Sequence, residues 1–120
     1  MSQGMGHVEV ALELLESTSD KVGKLGGVEE GWRSEAAAKL TSTTALLRAT
    51  TDRFFLKTRV CLPFAKKCED AAKALDALLA GLSAQLTSDE QSQVNAALEA
   101  LERAVKTLDE RSQMRGMAIT

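Results

Sequence analysis

The most reactive side chains in this sequence belong to two cysteines and one histidine. Cys61 and Cys68 lie seven residues apart, which on one helix is two turns, about 10 Å, and too far for a disulfide between them. The bases Arg59, Lys66 and Lys67 are close to them in sequence, and positive charge lowers the pKa of a thiol. Both cysteines, however, occupy repeat positions that leucine and phenylalanine fill elsewhere. We therefore expect buried, reduced thiols and not a redox centre.

The remaining residues do not form a catalytic or metal-binding pattern. His7 lies in a glycine-flanked terminal segment, where an exposed imidazole is expected. Zinc needs three or four Cys or His ligands, and only two of the three candidates in this chain lie near each other in sequence. No carboxylate and histidine stand three residues apart, as a di-iron bundle would require. The sequence predicts a protein that is not an enzyme and binds no metal or cofactor.

The composition predicts one all-α domain over residues 1–120. Hydrophobic residues make up 44% and charged residues 27% of the chain, which is ordinary for a folded protein. One proline, no tyrosine and an apolar fraction dominated by alanine and leucine favour helix over strand. We expect no transmembrane segment and no signal peptide, and hence a cytoplasmic protein.

The first and last helices are predicted from short apolar repeats. Val8, Leu12, Leu15 and Val22 share one helix face, and the two glycines at 26 and 27 are typical helix terminators, which predicts a helix over residues 6–25. The last helix is predicted over residues 88–112, with a capping box formed by Ser88 and Gln91. Its seam repeats at spacings of four and three, through Val94, Leu98, Leu101, Val105 and Leu108.

A seven-residue repeat dominates the middle of the chain. It contains no polar residue and runs through Leu40, Leu47, Phe54, Cys61, Cys68, Leu75 and Leu82. A heptad repeat of this length indicates a coiled-coil seam with a helical partner alongside. The sequence therefore predicts a long second helix over residues 34–86, capped by Ser34, within an elongated hairpin or three-helix bundle.

Pro63 interrupts this helix in either of two ways. An interior proline removes one backbone hydrogen bond and clashes with the preceding turn, at a cost of about 3 kcal/mol. We favour a kink, because the repeat keeps its phase on both sides of the proline. The alternative is a break near residues 60–63, which would give a compact four-helix bundle.

An unbroken helix over residues 34–86 would be about 80 Å long, whereas the last helix would cover only about 37 Å of it. The stretch from Leu40 to Phe54 would then need cover from the first helix, from a second copy or from another protein. We therefore expect self-association or a helical protein partner.

Charge along the chain is uneven. Residues 48–73 carry a net charge of +4, whereas residues 1–35 carry −4 and residues 74–120 carry −3. Two interpretations stay open: the ends fold back and neutralise the middle, or the middle binds an acidic or phosphate-bearing partner. A pI of about 5.4 and the lack of a recognisable nucleic-acid-binding motif argue against a nucleic-acid partner. An anionic membrane surface is a further, less favoured partner.

The segment from Gly31 to Ala37 contains Trp32 and resembles the Trp-x-Gly turn of small type VII secreted helical-hairpin proteins. Ser34 replaces the defining glycine, and the chain has no tyrosine for the export signal of that family. The resemblance covers about 30 residues and implies a secreted hairpin. The alternative is that Trp32 packs the preceding linker onto the long helix.

These patterns favour a non-enzymatic interaction module, a subunit or adaptor that acts through helix packing. A type VII-like secreted protein and a basic helix that binds an anionic surface are the alternatives. The candidate partner-binding residues are Trp32, Leu40, Leu47, Arg53, Phe54, Phe55, Lys57 and Arg59.

Overall fold

The part of the chain that the structure describes folds into four α-helices. The computed structural model describes residues 4–82 and 85–119, and it contains no strand in these ranges. The helices are α1 (Met5–Gly23), α2 (Glu30–Thr50), α3 (Leu62–Ala80) and α4 (Ser88–Ile119). The prediction of an all-α fold is confirmed.

The single helix predicted over residues 34–86 is wrong. Residues 51–61, here called the crossover, separate α2 from α3. The alternative four-helix bundle agrees with the structure, although the break spans the whole crossover and not Pro63 alone. Pro63 lies in the first turn of α3, where backbone N–H groups have no acceptor within the helix. Its lack of an N–H therefore costs no helical hydrogen bond, and the proline starts a helix instead of bending one.

The crossover begins where threonine side chains compete with the helix for backbone carbonyls. The hydroxyl of Thr50 donates to the carbonyl oxygen of Leu47 and that of Thr51 to Arg48, both at 2.7 Å. Arg53 and Thr58 then adopt extended backbone conformations, with ψ angles of 139° and 159°. Two short 3₁₀ turns, Phe54–Lys57 and Arg59–Cys61, fill the remainder.

The helices form two antiparallel hairpins, α1–α2 and α3–α4, that pack side by side. Within the bundle α1 contacts α2 and α3, and α4 contacts α3 and α2. Two contacts show that α1 and α3 are parallel: His7 near the start of α1 bonds to Glu69 in the middle of α3, and Lys21 near the end of α1 bonds to Asp76 nearer the end of α3. The crossover thus carries the chain diagonally from α2 to α3 across one end of the bundle.

One heptad-spaced core runs through all four helices. Buried residues alternate at spacings of three and four, as in coiled-coil seams. They are Val8, Ala11, Leu15, Thr18 and Val22 in α1; Ala36, Leu40, Thr43, Leu47 and Thr50 in α2; Cys61, Ala65, Cys68, Ala72, Leu75 and Leu79 in or just before α3; and Val94, Leu98, Leu101, Val105, Leu108 and Ser112 in α4. Five members of the repeat predicted in the middle of the chain are therefore buried by the chain itself, whereas Leu82 is only partly buried and Phe54 is 59% exposed; the buried members are Leu40, Leu47, Cys61, Cys68 and Leu75.

The start of α1 is fixed to the crossover by a close backbone approach. The N–H of Gly4 donates to the carbonyl oxygen of Leu56 at 2.9 Å. A Cβ atom at Gly4 would overlap the Sγ of Cys61 and lie 3.3 Å from the Cβ of Ala65. Only glycine fits this position without a shift of its neighbours.

Two predicted helix starts need correction. Ser34 lies inside α2, which begins at Glu30 and has no side-chain cap. The capping box of α4 is one residue earlier than predicted: Thr87 Oγ1 accepts from the Glu90 N–H at 3.1 Å, and Glu90 Oε1 accepts from the Thr87 N–H at 2.9 Å. The helix begins at Ser88, which makes Thr87 the capping residue.

Candidate partner-binding surface

The crossover buries alternate parts of its sequence and exposes the rest. Phe55 and Leu56 point into the core, whereas Phe54 is 59% exposed and Val60 is 56% exposed. A 3₁₀ helix has about three residues per turn, so Phe54 and Phe55 point in directions about 120° apart, and only Phe55 faces the core.

Exposed apolar residues are concentrated at this end of the molecule. We define the crossover half of the bundle as residues 4–13, 41–71 and 103–114. Among the described side chains, the large apolar ones with high exposure are Val10, Phe54, Val60 and Met114, and all four lie in that half. The loop half, residues 14–40 and 72–102, has none among its described residues.

The two halves also differ in charge. The crossover half carries nine bases and seven acids, whereas the loop half carries ten acids and five bases. A cationic, partly apolar end therefore faces away from an acidic one. Folding has neutralised the basic middle of the sequence only in part.

Arg53 accounts for some of that neutralisation. Its guanidinium forms an ion pair with the Asp109 carboxylate on α4 and donates to the Ser112 hydroxyl at 2.9 Å. The Asp109 carboxylate also accepts from the side chain of Gln113 at 2.8 Å. Arg53 thus fixes the crossover to α4. The sequence did not reveal this ion pair, and a role of Arg53 in binding a partner stays a prediction.

Lys57 and Arg59 are in a different situation. Both are exposed, and no ion pair within the described ranges includes either of them. They lie between the exposed Phe54 and Val60 in the sequence. We call these four residues, Phe54, Lys57, Arg59 and Val60, the crossover patch.

Three other predicted site residues are buried by the chain itself. Leu40 and Leu47 lie in the core facing α1 and α4, and Phe55 packs against Phe64 with ring centroids 6.2 Å apart. In this fold they are not available to a partner. The prediction was wrong for them because it assumed that α2 continued into one long, partly uncovered helix.

Trp32 links the two hairpins at the opposite end of the bundle. Its indole Nε1 donates to the Asn95 side-chain oxygen on α4 at 3.1 Å, and its ring is partly buried against the core. Trp32 lies in the first turn of α2, whereas the connecting turn is at residues 24–29 and contains Gly27 with a φ of 68°. The Trp-x-Gly turn implied by the resemblance is therefore not at this position.

Both cysteines are free and buried, as predicted. Burial raises the pKa of Cys68 to about 12. Burial also raises the pKa of Cys61, against the opposing effect of hydrogen bonds with the backbone. Desolvation penalises the charged form of a thiol and is the largest effect on the pKa of both cysteines.

A small polar cluster joins α1 to α3 near the crossover. His7 Nδ1 is hydrogen-bonded to Glu69, whose carboxylate also pairs with Lys73 at 2.7 Å. The hydrogen bond from Lys73, together with the one from His7, lowers the pKa of Glu69. His7 was expected to be an isolated surface imidazole, but it has a defined partner. Within the described ranges, no group of three Cys, His, Asp or Glu side chains could hold a metal ion.

Val60 and Met114 were missed in the sequence. Each is an apolar residue outside the repeat of buried positions spaced three and four apart. That repeat includes Cys61 next to Val60, and Ser112 near Met114. Apolar residues out of phase with a core repeat were the available signal.

None of the described helices has the length and apolar character needed to cross a bilayer. Comparison with protein-family models, curated proteins and solved structures finds no match to this chain.

Proposed function

We propose that the protein is a non-enzymatic interaction module, a subunit or adaptor that binds another protein through the crossover patch. The observation that carries this proposal is the exposure of Phe54 and Val60 on a segment whose other apolar side chains are buried. An exposed aromatic residue beside cations has the composition of a protein interface, in which aromatic residues and arginine are enriched.

The patch is held in place by three contacts of the crossover. Arg53 bonds to Asp109 on α4, Leu56 accepts the Gly4 N–H, and Phe55 packs against Phe64. Binding to a preorganised surface loses less conformational entropy than binding to a mobile loop. A short segment can therefore present Phe54 as an interface residue.

The charge of the patch indicates the chemistry of the partner. Lys57 and Arg59 have no counter-charge within the described residues. An acidic surface would supply that charge and would accelerate association at low salt. Phe54 and Val60 would then enter an apolar depression in that surface.

Paired variants test this proposal. Phe54→Ser with Val60→Ser, and separately Lys57→Glu with Arg59→Glu, should each reduce capture of native partners from the source cell about tenfold or more. Val10→Ser is the matched control, because Val10 is also exposed, at 37%, but lies outside the patch. All variants should keep the parental circular dichroism spectrum, since none of the changed side chains is buried.

The readout is quantitative mass spectrometry of captured proteins, normalised to the bait. Retention of every partner by both double variants would contradict the proposal. Equal loss in the Val10 control would contradict it as well, because the effect would not be specific to the patch.

An anionic membrane surface is the second candidate partner. The same combination of exposed Phe54 and Val60 with Lys57 and Arg59 favours it, because membrane-surface proteins combine apolar side chains with cations. Co-sedimentation with phosphatidylserine vesicles, but not with phosphatidylcholine vesicles, would support this candidate over a protein partner. Absence of binding to both vesicles leaves the protein partner as the proposal.

Two other predictions have lost their original arguments. Self-association was expected because a long seam lacked cover, and α1 and α4 provide that cover. The secreted-hairpin interpretation depended on a turn at Trp32, which lies within α2. The cytoplasmic location stays a prediction.

A further inference from the structure

A groove runs between α3 and α4 on the outside of the bundle. Its volume is about 310 Å³, and it is lined by Phe64, Lys67, Ala71, Ala100, Arg103, Ala104 and Thr107. Alanine side chains on both helices keep its floor low, so the backbone of another helix could approach closely. It shares no residue with the crossover patch.

The apolar part of the groove continues along both helices. Phe64, Ala71 and Leu78 recur every seven residues on α3 and are all partly buried. Ala97 and Ala104 follow the same spacing on α4. The fourteen-residue separation between Phe64 and Leu78 corresponds to about 21 Å of helix, the length of about four turns of a docked helix.

Cations line one end of this groove. Lys67 on α3 and Arg103 on α4 are exposed, and neither forms an ion pair within the described part of the chain. Arg111 extends the basic end, with its guanidinium carbon 5.4 Å from the centre of the Phe64 ring. Like charges on opposite walls of a groove repel each other unless an anion lies between them.

We infer that this groove binds an acidic amphipathic helix of a partner protein. Small apolar residues of the ligand, spaced at i, i+3 or i+4 and i+7, would face Ala71 and Ala104. Glutamates or aspartates on its flanks would lie between Lys67 and Arg103. The inference rests on the proposed function in one respect, that the protein binds other proteins, and it adds a second site together with the chemistry of its ligand.

Fluorescence anisotropy with a labelled synthetic peptide tests the inference. The probe is a capped helix of about 18 residues, slightly longer than the groove, with alanine and leucine on one face and glutamate on the flanks. It should bind the full-length protein more tightly at low salt than at high salt. A peptide with glutamine in place of every glutamate should bind more weakly by a factor of about ten or more.

Two matched double variants locate the site. Lys67→Glu with Arg103→Glu should weaken binding about tenfold or more, because it reverses both walls of the groove. Lys66→Glu with Lys106→Glu makes the same change in net charge on the same two helices but outside the groove lining, and it should change affinity less than about threefold. If charge reversal lowers the helical content, Lys67→Gln with Arg103→Gln takes its place.

Three results would overturn the inference. They are equal binding of the glutamate and glutamine peptides, equal loss in the two charge variants, and NMR shift changes confined to residues outside the α3–α4 groove. Absence of peptide binding at about 1 mM, the weak end of specific affinities, would overturn it as well.

The crossover variants separate this inference from the proposed function. Phe54→Ser with Val60→Ser should leave peptide affinity unchanged. If it abolishes peptide binding, the peptide binds the crossover patch and the groove inference fails while the proposed function gains support. If partner capture survives all crossover variants but is lost on reversal of Lys67 and Arg103, the groove is the binding site and the proposed patch is wrong.

Discussion

The two hairpins of the bundle carry outer grooves of almost equal size and different chemistry. The groove between α1 and α2 has a volume of about 320 Å³ and includes Ser19, Thr41 and Thr44 in its lining. An ion pair of 3.0 Å between Glu16 and Arg48 lies in that groove, so its charge is already balanced. The α3–α4 groove is lined by three alanines and by cations without such partners. Helix packing creates both grooves, but a few outward-facing side chains decide whether either has a charged surface left for a ligand.

We assume that the two hairpins share one core and differ on their outer surfaces. Truncation of core leucines tests this assumption and should have the largest effect on the free energy of unfolding. Leu47→Ala in the first hairpin and Leu101→Ala in the second should each lower the free energy of unfolding by about 2 to 5 kcal/mol. Both leucines are fully buried. Urea unfolding followed by circular dichroism should give one cooperative transition for each variant. Two separate transitions in either variant would mean that the hairpins unfold independently.

A glycine pair tests how tightly the first hairpin is fixed to the second. Gly4→Ala should lower stability by about 1 to 3 kcal/mol, because the new methyl group overlaps the buried Cys61 Sγ. Gly6→Ala should be neutral or stabilising by up to about 1 kcal/mol, since no atom lies within 4 Å of the new Cβ and alanine favours helix.

The Gly4→Ala effect should shrink in a Cys61→Ala background, where the overlapping sulfur is gone. Thermal melts of the single variants, the double variant and the parent measure this coupling. An equal loss in both backgrounds would assign the cost of Gly4→Ala to the backbone and not to the contact with Cys61.

Two arginine substitutions compare the ion pair that fixes the crossover to α4 with an ion pair inside the first hairpin. Arg53→Ala should cost about 1 to 2 kcal/mol, because the buried Asp109 and Ser112 lose a charged hydrogen-bond donor. Arg48→Ala should cost less than about 1 kcal/mol, since its pair with Glu16 is exposed. Denaturant midpoints of the two variants provide the comparison. A larger loss for Arg48→Ala would reverse our assignment of Arg53 as the structural residue.

The smallest effect on stability is expected when acid protonates the carboxylates at the contact between α1 and α3. Burial alone would raise the pKa of Asp76, but the hydrogen bond and charge of Lys21 outweigh it, and the resulting pKa lies below the ordinary value of 3.8. Glu69 likewise has a pKa below 4.5. Folding therefore favours the ionised carboxylates. Their contribution to stability is fully present above these ordinary values and is lost as the pH falls through the lower values of the folded state.

Melting temperatures between about pH 6 and pH 3 should show this loss in the parent protein. The fall should be shallower in Asp76→Asn than in the parent. Asp70→Asn is the control, because Asp70 is on the same helix but exposed, and ion pairs within the described residues do not include it. If the melting temperatures of the parent and of Asp76→Asn fall identically as the pH is lowered, Asp76 does not contribute to the loss of stability in acid.

The core was largely predictable because hydrophobic spacing reports which face of a helix is buried. Leu40, Leu47, Cys68 and Leu75 are buried as their repeat required. The spacing could not reveal where the helix stops, since Leu47 and Cys61 are separated by two heptads although most of the crossover lies between them. A repeat records phase along the chain and carries no information on whether the residues between two members are helical.

The candidate site was less predictable because exposure depends on topology. Phe54 and Phe55 have the same side chain and adjacent positions, yet only Phe54 is exposed. The winding of the 3₁₀ turn and the position of α4 decide between them, and neither is encoded in local spacing. The ion pair of Arg53 was not predictable for a similar reason, because its partner Asp109 lies 56 residues away in sequence.

The position of the single tryptophan has a spectroscopic consequence. Trp32 is at the first turn of α2, and the 21 residues of that helix place it about 30 Å from the crossover. Its indole bond to Asn95 makes its emission a probe of the contact between the starts of α2 and α4. Intrinsic fluorescence will therefore report loosening of the loop end of the bundle, whereas a ligand that binds at the crossover can leave the emission spectrum unchanged.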